Sequence, residues 1–387
     1  MKKLQLKYNM LHGLYWIIFC CCNGYAAVFL QYKGLTNTQI GLITGIGSVS
    51  TIFLSPFITS LISKYKKITI RKVFNFIFIS LTFIFLIIMY FDLPVLLLMF
   101  LYIAVLSLFV TTTPLLSMIA MNYTLMNKEV NFGLARGIGS ISYAFIALMM
   151  GSLVKMFDPM IIGVLYVVGS IIFIVLLYTF DDFEMDHEEE EKTILSSIIK
   201  KYKILFIILL GYSFNFAGSA SLSTYLINIV KNLGGNTTIY GIALFIMAAS
   251  EMPAMALTPR LMKRFDTMSL IIFSGVCYLF RNILICIAPN ILFVFVAMAF
   301  QSVTYGLLTS LLAYYVLDIC DENDQLMGQT LIGIMTSGIG STLGNVSGGM
   351  IQDAFGIETM LFVACVLTIV GTIIMVTSAM ISKKGRK

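Results

Sequence analysis

Residues 131–140 read Asn-Phe-Gly-Leu-Ala-Arg-Gly-Ile-Gly-Ser, and their last four recur as Gly338-Ile339-Gly340-Ser341. Thr38-Gln39-Ile40-Gly41 likewise faces Thr238-Ile239-Tyr240-Gly241 at nearly the same offset. Each pair opens or occupies an equivalent apolar run, so the chain reads as two duplicated halves.

The surrounding composition decides what kind of halves these are. The 387 residues are 59% hydrophobic and 11% charged, with a mean hydropathy of +0.95. A soluble domain carries about 25% charged residues, so that class is excluded. Apolar runs fall at 11–30, 39–62, 73–91, 95–122, 129–154, 161–180, 204–229, 238–258, 269–288, 291–317, 329–351 and 359–381. Each is about the 20 residues that cross a bilayer, and in lipid each must satisfy its own backbone, which demands helices. The expected fold is an all-α integral membrane protein with twelve transmembrane helices in two pseudo-symmetric six-helix bundles.

Charge placement orients it. With the amino terminus inside, 20 Lys and Arg fall on the inner side and three outside (Lys33, Lys155, Lys231). This is the positive-inside pattern, with both termini cytoplasmic, and it assigns the +6 charge to a membrane surface rather than to nucleic acid. Residues 181–203, with eight acids from Asp181 to Glu191 followed by Lys192, Lys200, Lys201 and Lys203, are too polar to span. They divide an N-terminal bundle, 1–180, from a C-terminal one, 204–387, as a solvated tether or a regulatory contact. Lys2, Lys3 and Lys7 precede a run of full spanning length without a small-residue cleavage site, so the first segment is expected to stay as helix one.

Seven Cys, three of them at Cys20–Cys22, make no metal or redox spacing, and His12 and His187 are the only histidines. Neither a metal site nor a cofactor is expected, and no His-Glu-x-x-His pattern or paired nucleophile and base supports an enzyme.

Three ionisable residues fall inside spans: Arg136, Glu251 and Arg281. Each costs at least about 2.5–3.5 kcal/mol to insert and should face a partner, the bundle interior or water. Glu251 and Arg281 lie on consecutive antiparallel spans. They form either a proton switch with its neighbouring cation or a permanent ion pair that fixes packing. Arg136 suits bidentate contact with a carboxylate or hydroxyl pair, or else snorkels to headgroups. Polar stripes at helical spacing, Tyr212/Asn215/Ser219, Gln301/Thr304/Tyr305 and Ser337/Ser341/Asn345, with Asn23 beside Tyr15 or Tyr25, line a cavity or bind helices together.

These residues resemble the major facilitator superfamily, in the branch holding sugar/proton symporters and phenylpropionate-permease-like proteins. The 131–140 stretch looks like that branch's span-five motif. Glu251-Met252-Pro253 resembles its span-eight signature, Leu279-Phe280-Arg281-Asn282 its span-nine Arg motif, and Met327-Gly328-Gln329 its entry to span eleven. The resemblance implies the fold, transport, and substrate binding by Arg136. Departures are Ser117 for the span-four acid, Gln301 and Thr304 for the span-ten His and Glu, and Ser63 in the first inner loop. If protons are coupled, Glu251 must carry them.

The expected function is secondary active transport by alternating access, as proton symport of a small sugar, nucleoside or aromatic acid by a monomer in the cytoplasmic membrane. Arg136, Arg281, Asn23, Tyr25, Asn215, Gln301, Tyr305 and Asn345 are the candidate substrate-binding residues, and Glu251 the proton-coupling one. A non-transporting receptor or a proton-driven exporter is the alternative.

Overall fold

This computed structural model describes residues 2–65, 68–126, 128, 130–182 and 195–385. Among the described residues there are helices and no strands. The first half contains α1 (Lys2–Phe19), a π-helical turn (Cys20–Gly24), α2 (Ala26–Tyr32), α3 (Asn37–Lys64), α4 (Ile70–Tyr90), α5 (Val95–Thr111), α6 (Thr113–Leu125), α7 (Phe132–Met156) and α8 (Met160–Leu177). After the tether come α9 (Leu195–Lys201), α10 (Lys203–Thr224), α11 (Leu226–Asn232), α12 (Thr237–Met262), α13 (Thr267–Cys286), α14 (Ile291–Ala299) and α15 (Tyr305–Ile319). α16 (Glu322–Gly333), a π-helical turn (Ile334–Gly340), α17 (Ser341–Phe355) and α18 (Ile357–Gly385) complete the chain.

Ten of the described helical stretches are long and apolar enough to cross a membrane, and the α1–α2 pair, bent by 48°, makes an eleventh. The span expected at 329–351 is present as α16 and α17 joined through the π turn, and its many Gly, Ser and Asn residues lower its hydropathy. The fold is the all-α, multi-pass bundle that the apolar runs predict. Most of the tether, 183–194, lies outside the described residues, while its end forms α9, whose Ile198 is buried against a hydrophobic cluster.

The chain divides into two compact units. Unit 1 contains residues 1–35, 46–188 and 236–245; unit 2 contains 36–45, 189–235 and 246–387. Apart from the tether, the units follow the two halves of the sequence except for two ten-residue helix tips, 36–45 and 236–245, which are exchanged. The tips lie 200 positions apart, the same offset as the Thr38–Gly41 repeat.

Unit 1 is built around aromatic rings. Phe78 stacks on Phe173 with centroids 4.3 Å apart, and Phe85 on Tyr166 at 4.2 Å. Tyr102 donates to the Cys22 carbonyl at 2.8 Å, anchoring the first π turn, where Cys20, Cys21 and Cys22 are all fully buried. They pack as small apolar groups.

Unit 2 has a tightly interlocked core. Thr372 of α18 donates to Asn215 of α10 at 3.0 Å and to the Gly275 carbonyl of α13 at 3.3 Å. Glycine permits the approach of α17 to α10, since a Cβ at Gly344 would overlap the Ala217 carbonyl. Backbone cannot yield as a side chain does, so Gly344→Ala should destabilise the protein by about 3 kcal/mol, the upper end for overpacking. A thermal melt in detergent checks this, and an unchanged midpoint would refute the close contact.

Candidate functional site

In unit 1 the 131–140 stretch supplies a cap, a cation and a platform. Asn131 caps α7 by accepting from the Leu134 amide at 2.8 Å. This sets Arg136 one turn into the helix, where its Nη1 donates to Ser140 Oγ at 2.7 Å. The guanidinium lies over the Trp16 ring of α1, with Cζ 4.0 Å from the centroid, a cation–π contact of about 0.5–2 kcal/mol. Gly139 makes room, because a Cβ there would strike the Trp16 ring. Among the described residues the buried Trp16 Nε1 atom has no hydrogen-bond partner, and neither do the ring nitrogens of His12, one turn earlier on α1.

In unit 2, half-buried Glu251 accepts from Gln301 Nε2 at 3.0 Å. Arg281 is fully buried on α13. Its Nη1 donates to Ser219 and to Asn282 Oδ1, both at 3.1 Å, and Asn282 is pinned to Thr368 at 2.8 Å. The remaining Nε and Nη2 of Arg281 have no hydrogen-bond partner among the described residues. The phenols Tyr212 and Tyr278 pair with each other, their oxygens 3.4 Å apart. Tyr305 packs against Phe216, with ring centroids 6.0 Å apart.

Other expected site residues sit elsewhere. Tyr25 donates to the Ala147 carbonyl at 2.6 Å, and Asn215 accepts from Thr372. Asn345 accepts from Thr224 at 2.8 Å. All three polar groups therefore join helices. Asn23 is exposed on the first π turn. The residues that sequence reasoning passed over are Trp16, His12 and Ser140 in unit 1, and Asn282 and Thr368 in unit 2, whereas Ser219 stands in the stripe of span seven. A signal existed on α1, where Gln5, Asn9, His12 and Trp16 recur at helical spacing and Gln5 bonds both Asn9 and Asn131.

A helical bundle with one buried and one half-buried cation, a half-buried acid and duplicated halves fits a membrane transporter. The MFS_1 like family matches residues 6–364, and the chain belongs to that family of the major facilitator superfamily. It is 25% identical over 384 residues to the uncharacterized transporter YwbF of Bacillus subtilis (strain 168), covering 96% of this chain and 94% of that protein. It is 24% identical to the maltose permease of Geobacillus stearothermophilus over 151 residues, 39% of this chain and 38% of that one. In fold it is similar to the nucleoside transporter NupG, with a TM-score of 0.80 and 13% identity, covering 97% and 98% of the two chains. A bacterial homologue of the iron transporter ferroportin in an inward-facing state gives a TM-score of 0.71 at 14% identity, covering 98% and 99%.

Proposed function

We propose that this transporter is a secondary active carrier of a small polar or organic-acid solute of the sugar, nucleoside or aromatic-acid class. It works by alternating access as a monomer in the cytoplasmic membrane, with both termini inside and uptake coupled to protons through Glu251. Arg136 and Arg281 bind the solute, with Ser140 beside the first and Gln301 and Tyr305 in the cluster of the second. Asn23 contributes from the first π turn, while Tyr25, Asn215 and Asn345 hold the helices that carry these groups.

The carrying observation is Arg281, a fully buried cation with two donor atoms left unbonded. A buried donor without a partner costs about 1–3 kcal/mol, and more when charged, so a solute bringing acceptor oxygens recovers that cost on binding. Hydroxyl pairs and carboxylates both match this geometry. The likeness to NupG and to the maltose permease supports the nucleoside and sugar members of the class.

The chain provides its own reporter. Trp16 is the only tryptophan, and it carries Arg136 on its face. Titrating purified protein with uridine, maltose, benzoate and 3-phenylpropionate should give a saturable change in Trp16 fluorescence for one of them. Arg136→Ala should abolish the response, and counterflow of the same solute in proteoliposomes should follow. Binding without flux would make the protein a receptor, and silence from all four probes would refute the solute class.

A further inference from the structure

The exchanged helix tips are held by two matching clamps. In unit 2, Tyr225, at the break between α10 and α11, donates to the Asn345 carbonyl at 2.8 Å and to the Asn37 carbonyl at 3.0 Å. Added Cβ atoms at Gly41 and Gly349 would collide with this contact. In unit 1, Tyr25, at the break between the first π turn and α2, donates to the Ala147 carbonyl, and Gly241 and Gly151 pack there in the same way. Tyr25 and Tyr225 lie 200 positions apart, as do Gly41 and Gly241.

The tips are bonded differently: in unit 2 Asn228 Nδ2 donates to Asn37 Oδ1 at 2.9 Å, and in unit 1 Tyr240 donates to the Gly24 carbonyl. One turn beyond Gly349 stands Asp353; one turn beyond Gly151 stands Lys155. Asp353 accepts from the Asn37 amide at 3.2 Å, the Asn37 Nδ2 at 2.8 Å and the Thr38 amide at 2.6 Å. Thr36 and Gln39 close the rest of the α3 terminus as a reciprocal capping box, with bonds of 3.3 and 3.0 Å. The first amides of α3 are therefore all satisfied. On α12, Asn236 accepts from Ile239 at 3.2 Å, but the Thr237 and Thr238 amides find no partner among the described residues. Lys155 has only donors and cannot supply one.

We propose that Asp353 is a positioning residue for transport, a carboxylate latch that holds the tip of α3 in unit 2 and must let go for the end bearing that tip to open. By the Lys and Arg count this end faces outward. The proposal rests on the alternating-access reading and adds to it an asymmetry: of two equivalent clamps, one carries a carboxylate, and the other, whose Tyr240 donates to the Gly24 carbonyl, has none. Partial burial pushes Asp353 up, but the bonds from Thr38 and Asn37 outweigh it and hold its carboxyl below the ordinary 3.8. A depressed carboxyl stabilises above that ordinary value and stops doing so as the pH falls through its own lower one, so the latch is fully set at neutral pH. Tyr225 is the titratable group that feels its charge, and the tip of α3 brings none.

The test is a distance measurement between spin labels at Tyr32→Cys and Glu358→Cys in the full-length protein, with Cys286 and Cys365 replaced by Ala. Asp353→Asn should shift the ratio of short to long distances about tenfold toward long, as loss of one helix cap would. Asp353→Glu, which keeps the charge, should return it toward the parent ratio. Two distances that respond to solute but are the same in Asp353→Asn would overturn the latch while leaving alternating access intact. Equal shifts in Asn and Glu variants would also overturn it, assigning the effect to packing. A single distance in every sample would overturn alternating access itself, and the latch with it.

Discussion

Glu251→Gln is expected to bring proton-driven accumulation down to equilibration while leaving solute counterflow within about twofold of the parent. Glutamine preserves the shape of the side chain and the bond to Gln301, now 3.0 Å long. It cannot release or take up a proton. A pH gradient of one unit is worth about 1.4 kcal/mol, or tenfold accumulation for one coupled proton, and the variant should lose all of it. Transport assays in proteoliposomes with an imposed pH gradient, run beside counterflow in its absence, separate the two quantities. Accumulation that persists in the variant would remove Glu251 from coupling. Loss of both activities would reassign it to solute binding or folding.

Arg281→Met should weaken solute binding at least a hundredfold without lowering the melting temperature of the empty protein. The first expectation follows from two charge-assisted bonds, each worth about 1.5–3 kcal/mol. The second follows from the cost of burying the guanidinium, because replacing a buried ionic group by an apolar one of similar volume is often neutral or stabilising. A residue serving only to hold helices would show the opposite pattern, with a lower melting temperature and affinity retained in the surviving folded fraction. Titration by Trp16 fluorescence together with a thermal melt reads both.

Much of this architecture is legible in the chain because membranes impose few solutions. The 20-to-3 division of cations and the polar break after Phe180 follow from transfer energies, which depend on composition and not on contacts. The duplication is visible for the same reason a repeat is visible anywhere. The exchanged tips were not, since only three-dimensional proximity assigns residues 36–45 to one unit and 46 onward to the other. Within the site, Arg136, Glu251 and Arg281 announce themselves by being costly in lipid. Trp16 does not, because an aromatic residue in an apolar span is ordinary, and only the guanidinium on its face gives it a role. Tyr25 and Asn345 meet neighbouring helices, at the Ala147 carbonyl and at Thr224. Polar atoms on a helix look the same in sequence whether they meet a solute or a neighbouring carbonyl.

The bonds Asn215–Thr372 and Asn282–Thr368 tie α10, α13 and α18 into one block, and Arg281 is planted inside it. Its positive charge is consequently a fixed landmark that no gate carries along. Under the proposed alternating-access cycle, a travelling solute would come to that landmark and leave it, while the aqueous routes on either side take turns in reaching it.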